Sequence, residues 1–184
     1  VKTDPRFALG YAQLGEAYRL KYRVDLNPKW VDEAAANCQR ALQLNDRLPV
    51  IYVTLGRIHD DKGNHDLALQ EFQHALQLNP RDADALVGVA HAYESANRLA
   101  EAEAAYKKAV ALRPDYWDGY NSLGFFYVRQ RRFQDGESQY RHVLELTPDN
   151  AQVWSNLGVA LQNQEKLQEA EAAYKKSVEL VPSY

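Results

Sequence analysis

The sequence contains no methionine and only one cysteine, Cys38, among its 184 residues. A lone cysteine excludes an intramolecular disulfide and a zinc site built from several thiolates. The longest apolar run, residues 48–53, is far shorter than the ~18 residues that a membrane-spanning helix needs. Lys and Arg form no long block and the formal net charge is −3, so the attraction on which nucleic-acid binding depends is weak. We therefore expect neither membrane insertion nor nucleic-acid binding.

The sequence also lacks the residue patterns of common catalytic and metal sites. Its five histidines are scattered, and it contains no H-E-x-x-H motif, no G-x-S-x-G motif and no glycine-rich phosphate loop. Residues 60–66 resemble a calcium loop only superficially, because the alternating acidic ligands and the closing bidentate Glu are missing. Cys38 aligns with Phe72, Tyr106, Tyr140 and Tyr174, a position expected to be buried, so we expect it to pack in the core and not to act in catalysis. No enzyme activity, cofactor or metal site is therefore predicted.

The prolines are regularly spaced over most of the sequence. Pro80, Pro114, Pro148 and Pro182 follow one another at intervals of 34 residues. A fixed period of this size is typical of a protein built from repeated supersecondary units. In each period, apolar residues recur at helical spacing in two stretches of about 13 residues, separated by a short polar turn. The pattern therefore predicts pairs of helices that bury their apolar faces by stacking on one another.

Other residues align when the sequence is divided at these prolines. One block contains Trp154, Leu157, Gly158 and Leu161, followed by Ala170 and Tyr174. The same positions in the other blocks are occupied by Tyr120, Leu123, Gly124, Tyr127, Gly136 and Tyr140; by Leu86, Val89, Ala90, Tyr93, Ala102 and Tyr106; by Tyr52, Leu55, Gly56, His59, Ala68 and Phe72; and by Tyr11, Leu14, Gly15, Tyr18, Ala34 and Cys38. A small residue at the Gly158 position allows two helix backbones to approach closely.

On these residues the sequence resembles the tetratricopeptide repeat family, whose signature is W-x2-L-G-x2-Y, A-x3-F and P at a period of 34. The resemblance implies an all-α, right-handed superhelical solenoid of helix–turn–helix units, forming a single domain over residues 1–184. We expect repeats at 8–48, 49–82, 83–116, 117–150 and 151–184, with residues 1–7 as the tail of a preceding repeat. Because the sequence begins with Val1 and no solvating cap follows, we expect it to be a fragment of a longer bacterial array.

The repeat at 8–48 is seven residues longer than the others, and the extra residues lie between its two helices. Seven residues are two helical turns, so we expect one extra turn on each helix. Asn27 and Pro28 are suited to the N-cap and first position of the second helix. A small apolar cluster on the extended hairpin would then contain Tyr22, Val24, Leu26 and Trp30. Two interpretations stay open: the cluster packs on itself, or it is a secondary surface for a partner.

The repeat at 117–150 departs from the pattern at two positions. Gly136 stands where the other repeats have Ala, which costs roughly 1 kcal/mol in helix propensity. Arg131 stands where Gly63 occurs in the inter-helix turn, so a turn with positive φ would strain Arg131. We expect local opening of the chain to be easiest in this repeat.

In the family that the sequence resembles, the first helix of each unit lines a concave groove that holds a peptide or helix of a partner protein. The resemblance implies protein–protein scaffolding through this groove. Its lining positions correspond to Glu16, Arg19, Val53, Arg57, Asp60, Asp84, Val87, His91, Glu94, Asn121, Phe125, Val128, Arg129, Ser155, Val159 and Gln162. Phe125, Val128 and Val159 form an apolar stretch, which is typical of an interaction site, and Phe125 is the predicted anchor. Phe125 packing against its apolar neighbours is the alternative.

Two further functions stay open. The long first repeat and the phrase Trp117 to Gly124 resemble repeat arrays attached to bacterial signalling enzymes, which would make the chain a regulatory arm of a kinase or cyclase. Self-association through uncapped ends is the other. A single buried cysteine fits the cytoplasm, the expected location, and also suits a periplasm.

Overall fold

The computed structural model describes residues 5–181, which form ten α-helices and no β-strand. The helices are α1 (Pro5–Asp25), α2 (Pro28–Leu44), α3 (Pro49–Asp61), α4 (His65–Leu78), α5 (Ala83–Ser95), α6 (Leu99–Leu112), α7 (Trp117–Arg129), α8 (Phe133–Leu146), α9 (Ala151–Gln162) and α10 (Leu167–Glu179). The predicted all-α class is confirmed. α1 begins at Pro5, a residue that suits the start of a helix, so residues 5–7 belong to α1. The parts of these predictions that fall on residues 1–4 and 182–184 lie outside the described residues.

The helices belong to two compact units, Val1–Ala105 and Tyr106–Tyr184. The first unit contains α1 to α5 and the beginning of α6, and the second contains the rest of α6 and α7 to α10. Asp82 begins α5 by accepting a hydrogen bond from the Ala85 amide at 3.0 Å, and Asn150 begins α9 by accepting one from the Val153 amide at 3.2 Å. These side chains satisfy amide groups that have no partner within the helix.

The turns inside the shorter hairpins share one backbone feature. Gly63, Asn97, Arg131 and Glu165 have φ values of 76°, 57°, 60° and 63°, and they recur every 34 residues. The left-handed conformation costs a residue with a Cβ atom roughly 1–2 kcal/mol, whereas glycine adopts it freely. The prediction that Arg131 occupies a turn with positive φ is confirmed, and Glu165 bears the same strain.

The seven extra residues of the first hairpin are built into its two helices. α1 continues to Asp25 and α2 begins at Pro28, so the turn between them consists of Leu26 and Asn27. Asn27 accepts a hydrogen bond from the Lys29 amide at 3.1 Å and thereby caps α2, as its sequence position indicates. Leu26 has φ 55°, which allows the reversal to be completed in two residues.

Each unit has its own apolar core of small and large side chains. In the first unit, Cys38 and Ala41 of α2 are fully buried and share a cluster with Ile51 and Leu55 of α3. The Cys38 side chain lies close to Gly15, where a Cβ atom would be 2.8 Å from the Cys38 Sγ atom. Burial raises the pKa of Cys38 to about 12, with smaller contributions from the charges of Glu16 and Glu71. Cys38 is therefore a protonated thiol at neutral pH and acts as a packing residue.

The core of the second unit explains why residue 136 is glycine. A Cβ atom at Gly136 would lie 2.7 Å from the Val128 Cγ2 atom and 3.1 Å from the Gly124 carbonyl oxygen. The position of Val128 is occupied by Arg19, Asp60, Glu94 and Gln162 in the other repeats, all of them unbranched at Cβ. A β-branched side chain on a helix is restricted at χ1 and cannot swing away. Val128 and Gly136 therefore form a matched pair.

We expect Gly136→Ala to lower the free energy of unfolding by about 1 kcal/mol, because the contact with Val128 outweighs the gain in helix propensity. In a Val128→Ala background, the same replacement should raise stability by up to ~1 kcal/mol. Urea denaturation of the four proteins in this double-mutant cycle measures the coupling. Additive effects of the two substitutions would contradict the pairing.

Candidate interaction surfaces

In the first unit, five of the predicted lining and neighbouring side chains form a chain of ion pairs across α1, α3 and α5. The Arg19 guanidinium donates to both carboxylate oxygens of Glu16, at 2.9 and 2.8 Å, and to Asp61 at 2.8 Å. Arg57 donates to Glu16 at 3.3 Å and to Asp84 at 2.8 Å. Each carboxylate thus lies beside a guanidinium, and these charges stabilise the packing of the three helices against one another.

The electrostatics of Arg19 follow from this arrangement. Burial lowers the pKa of Arg19, but hydrogen bonds and charge attraction from Glu16 and Asp61 outweigh it and raise the pKa above the ordinary value. Because the side chain is only 6% exposed, removing either carboxylate would leave a buried charge with fewer partners. Arg19 is therefore a structural residue of the first unit.

Asp60 joins three helices of the first unit through two histidines. Its carboxylate contacts the Nδ1 atoms of His65 and His91, each at 2.8 Å. Burial raises the pKa of Asp60, but the hydrogen bonds and charges of His91 and His65 outweigh it and lower the pKa. Within the described residues, no group of three or more His, Cys, Asp or Glu side chains is arranged to hold a metal ion.

Three of the predicted lining side chains are buried instead of being offered to a partner. Arg19 is 6% exposed, Val53 is 3% exposed and Glu94 is 8% exposed. Val53 lies on α3 and is almost fully buried, and Arg19 is enclosed by its carboxylate partners, so neither contributes contact area. Val87 is half-buried, and His91 is exposed beside Asp60. The accessible part of this inner surface is therefore mainly polar and already paired.

The second unit has a different inner surface, with exposed apolar side chains on α7 and α9. Phe125 is 51% exposed and Val159 is 39% exposed, whereas Val128 is half-buried by its packing on Gly136. The Arg129 guanidinium lies 6.0 Å from the centre of the Phe125 ring. An exposed aromatic ring and an exposed apolar residue at the same position of successive repeats are typical of a protein-binding surface.

Polar side chains flank these apolar residues. The Asn156 amide donates to the Asn121 side-chain oxygen at 3.0 Å, which links α9 to α7. Gln162 accepts a hydrogen bond from the Tyr174 hydroxyl at 2.9 Å, and Ser155 is half-buried. We call these polar and apolar residues of α7 and α9 the unit-2 patch: Asn121, Phe125, Val128, Arg129, Ser155, Val159 and Gln162. The pairing of Asn121 with Asn156 was not predicted, since residues 35 apart give no local signal.

The extended hairpin of α1 and α2 holds its aromatic residues by packing. The Trp30 ring stacks on Tyr18 with centroids 5.7 Å apart, and its Nε1 atom donates to Asp25 at 2.7 Å. The Lys21 ammonium lies 3.5 Å from the Trp30 ring centre. Tyr22 is half-buried against the core of the first unit. The other two residues of the predicted cluster are exposed: Val24 at 86% and Leu26 at 69%.

These features define a class of protein: consecutive helical hairpins with a small residue at each close helix contact and variable inner surfaces. A family model described as tetratricopeptide repeat matches residues 53–116 and 127–184, which is more than half of the chain. The chain belongs to the tetratricopeptide repeat family. Proteins of this family are generally non-enzymatic scaffolds for protein–protein interaction. No curated protein matches the sequence.

Solved structures support the fold. TTC0263, a thermophilic TPR protein of Thermus thermophilus, is 22% identical with a TM-score of 0.78, over 94% of this chain and 92% of that one. PilF of Pseudomonas aeruginosa is 17% identical with a TM-score of 0.72, over 95% and 80% of the two chains. MamA is 21% identical with a TM-score of 0.67, over 87% and 92%. At these identities the similarity concerns the fold alone. None of the helices in residues 5–181 is long and apolar enough to cross a membrane.

Proposed function

We propose that the chain binds a segment of a partner protein on the unit-2 patch, with Phe125 as the anchor. The observation that carries this proposal is the 51% exposure of the Phe125 ring on α7, together with the 39% exposure of Val159 at the same repeat position of α9. The partner segment is a helix or an extended peptide that brings an apolar side chain between these two residues. Arg129 and Ser155 lie at the polar rim of the patch, where they would fix the orientation of the segment.

The inner surface of the first unit should contribute less to partner binding than the unit-2 patch does. Its charged residues neutralise one another in Arg19–Glu16, Arg57–Glu16 and Arg57–Asp84 pairs. A partner that replaced these pairs would have to compensate for every hydrogen bond that it broke. The first unit therefore acts mainly as a rigid support, and the apolar contact on the second unit supplies most of the affinity. A rigid surface requires less ordering upon binding, which favours affinity.

The experiment compares capture of partners from a lysate by the wild-type chain, by Phe125→Glu and by Leu146→Glu. Leu146 is 39% exposed on α8 and serves as a matched control, because both variants place a carboxylate at an exposed apolar site of the second unit. Loss of an aromatic anchor costs at least ~2 kcal/mol, so Phe125→Glu should weaken binding about 30-fold or more. Leu146→Glu should bind as the wild type does.

Equal helicity of the three proteins by circular dichroism establishes that only the surface has changed. Titration calorimetry with the partner captured by the wild type then measures the ratio of dissociation constants directly. Equal capture by wild type and Phe125→Glu contradicts binding at the unit-2 patch. The next candidate site would then be Val24 and Leu26 of the extended hairpin. Capture of no specific partner by any of the three proteins contradicts binding by this chain alone. The role of a regulatory arm in a signalling enzyme stays a prediction.

A further inference from the structure

The apolar part of the unit-2 patch is followed by two exposed cations at the end of α7. Arg129 is the last residue of that helix, and its guanidinium lies 6.0 Å from the centre of the Phe125 ring. Arg131 follows in the turn to α8 and is also exposed. The only carboxylate of α7 belongs to Asp118 in the first turn, where it accepts a hydrogen bond from the Tyr116 hydroxyl at 3.1 Å. The end of the patch near Arg129 is therefore positively charged.

Arg131 differs from the arginine next to it in the partners of its side chain. Arg132 donates to Asp135 at 2.7 Å and lies 4.3 Å from the centre of the Tyr127 ring, so its charge is held by the α7–α8 hairpin. The Arg131 guanidinium has no hydrogen bond, ion pair or ring contact with any residue in the described range 5–181. Its charge is therefore available to a carboxylate of another chain, and a guanidinium can bind both oxygens of such a group.

The backbone of Arg131 also indicates a role outside the hairpin. Arg131 has φ 60°, a conformation that is strained for most residues with a Cβ atom, whereas Gly63 and Asn97 suit the same turn position of other hairpins. The end of such a helix does not require a cation, because α9 has no basic residue in its last turn. A strained residue whose charge has no partner in its own fold is typical of a functional site.

The turn after α9 carries the opposite charge. Glu165 occupies the repeat position of Arg131, has φ 63° and likewise forms no side-chain hydrogen bond or ion pair within the part of the chain that the structure describes. α9 itself contains no charged residue. The patch thus has a positive edge on the α7 side and a negative edge on the α9 side. A segment that lies across both helices is attracted through its acidic residues to the end of α7 and repelled from the turn after α9.

We propose that the segment bound by the unit-2 patch is acidic, with an aspartate or glutamate beside its apolar residue that pairs with Arg131 and Arg129 at the end of α7. The inference rests on the proposed function and adds the chemistry and the polarity of the partner. The apolar residue of the segment packs on Phe125 and Val159, and the carboxylate lies on the α7 side, away from Glu165. An exposed ion pair adds modest affinity, but it selects the partner and fixes its orientation.

Selection from a library of random short peptides displayed on phage, with the whole 184-residue chain as bait, tests the proposal. The recovered peptides should share an aromatic or aliphatic residue with Asp or Glu at a constant spacing on one side of it. One such peptide is then synthesised, and its dissociation constant is measured by fluorescence polarisation. Arg131→Glu should weaken binding about five-fold or more, whereas Lys108→Glu, which reverses an exposed charge on α6, should leave binding within about two-fold of the wild type.

Two further measurements separate direct pairing from an effect on the fold. Arg131→Gly should raise the urea midpoint of unfolding, because glycine adopts a positive φ without strain, and it should nevertheless weaken peptide binding about three-fold. In double-mutant cycles, the acidic residue of the peptide should couple to Arg131 and not to Glu165. All variants should have the helicity of the wild type by circular dichroism.

The outcomes distinguish failure of this inference from failure of the proposed function. If no peptide is enriched, or if the enriched peptides bind Phe125→Glu as tightly as the wild type, binding at the unit-2 patch is wrong and the acidic partner is wrong with it. Peptides that need Phe125 but contain no acidic residue, or that bind Arg131→Glu as tightly as the wild type, leave the proposed function intact and overturn the acidic partner. Coupling of the acidic residue to Glu165 instead of Arg131 overturns the polarity.

Discussion

Phe72→Ala is expected to lower the free energy of unfolding by about 3–5 kcal/mol, the usual cost of deleting a fully buried phenyl ring. Phe72 is 1% exposed on α4, and its ring lies between Gly56 of α3 and Gly88 of α5. A Cβ atom at Gly56 would be 2.6 Å from the ring, and one at Gly88 would be 2.4 Å from it. Because neither glycine has a side chain that could move into the vacated space, the cavity should persist.

Tyr174→Ala is the matched control for Phe72→Ala. Tyr174 has the same position in its repeat and the same close contact with a glycine, Gly158, at 2.6 Å, but it is only half-buried. The Tyr174 ring buries less surface in the native state. We therefore expect Tyr174→Ala to lower the free energy of unfolding by less than half as much as Phe72→Ala does. Urea denaturation followed by circular dichroism gives both values, and hydrogen exchange should show reduced protection in α3, α4 and α5 for Phe72→Ala alone. Equal losses for the two variants would contradict the argument.

Glu137 is expected to make the stability of the second unit fall as the pH drops from about 4.5 towards 2. The carboxylate is 8% exposed and accepts hydrogen bonds from Lys166, Gln164 and Arg141, each at 2.8 Å. Burial raises the pKa of Glu137, but these three partners outweigh burial and lower the pKa from 4.5 to about 2. The unfolded chain therefore binds this proton more readily, and acid favours unfolding in that interval.

Glu137→Gln should remove this part of the pH dependence. A shift of this size corresponds to roughly 3 kcal/mol, and we expect about 2 kcal/mol because Lys166 and Arg141 are 40% and 50% exposed and screened by water. The variant should therefore be less stable than the wild type by that amount at pH 7, and the difference should vanish near pH 2. Urea denaturation at several pH values measures both. A constant difference between the two proteins across this pH range would show that packing, and not the charge, explains the loss.

Glu145→Gln is the control for Glu137→Gln. Glu145 lies on the same helix, its side chain is 75% exposed, and it contacts His142 at 3.2 Å. An exposed pair of this kind contributes little to stability, so the pH dependence of unfolding should remain that of the wild type. If both variants changed the pH dependence equally, general charge effects would account for the result.

The local elements of the fold could be predicted because their signals are local. Helical spacing of apolar residues, the prolines at a period of 34 and the Asn27–Pro28 start of α2 all act within a few residues of the chain. The positive φ of Arg131 also followed from alignment with Gly63. The sequence pattern indicated only that Gly136 costs helix propensity; the structure adds a reason for the glycine, namely the Val128 side chain on the neighbouring helix.

The interaction surface was predicted less well. Arg19 and Val53 have the repeat positions of groove residues, but their neighbours bury them, and a pattern of positions carries no information about neighbours. Glu137 was not singled out, since its partners Lys166 and Gln164 lie 29 and 27 residues further along the chain. Phe125 was named from the sequence, and the structure adds that its ring is half exposed.

The sequence by itself determined the helical hairpins, their turns and the repeat family, because each hairpin forms from interactions between residues close in the chain. The tertiary structure alone decided how much of each inner residue reaches solvent and which charges neutralise one another. Leu14 and Leu157 illustrate the difference: they have the same repeat position, yet they are 42% and 2% exposed. The exposure of each leucine depends on which helix packs against it. That contact is set by the tertiary structure and not by the local sequence around either leucine.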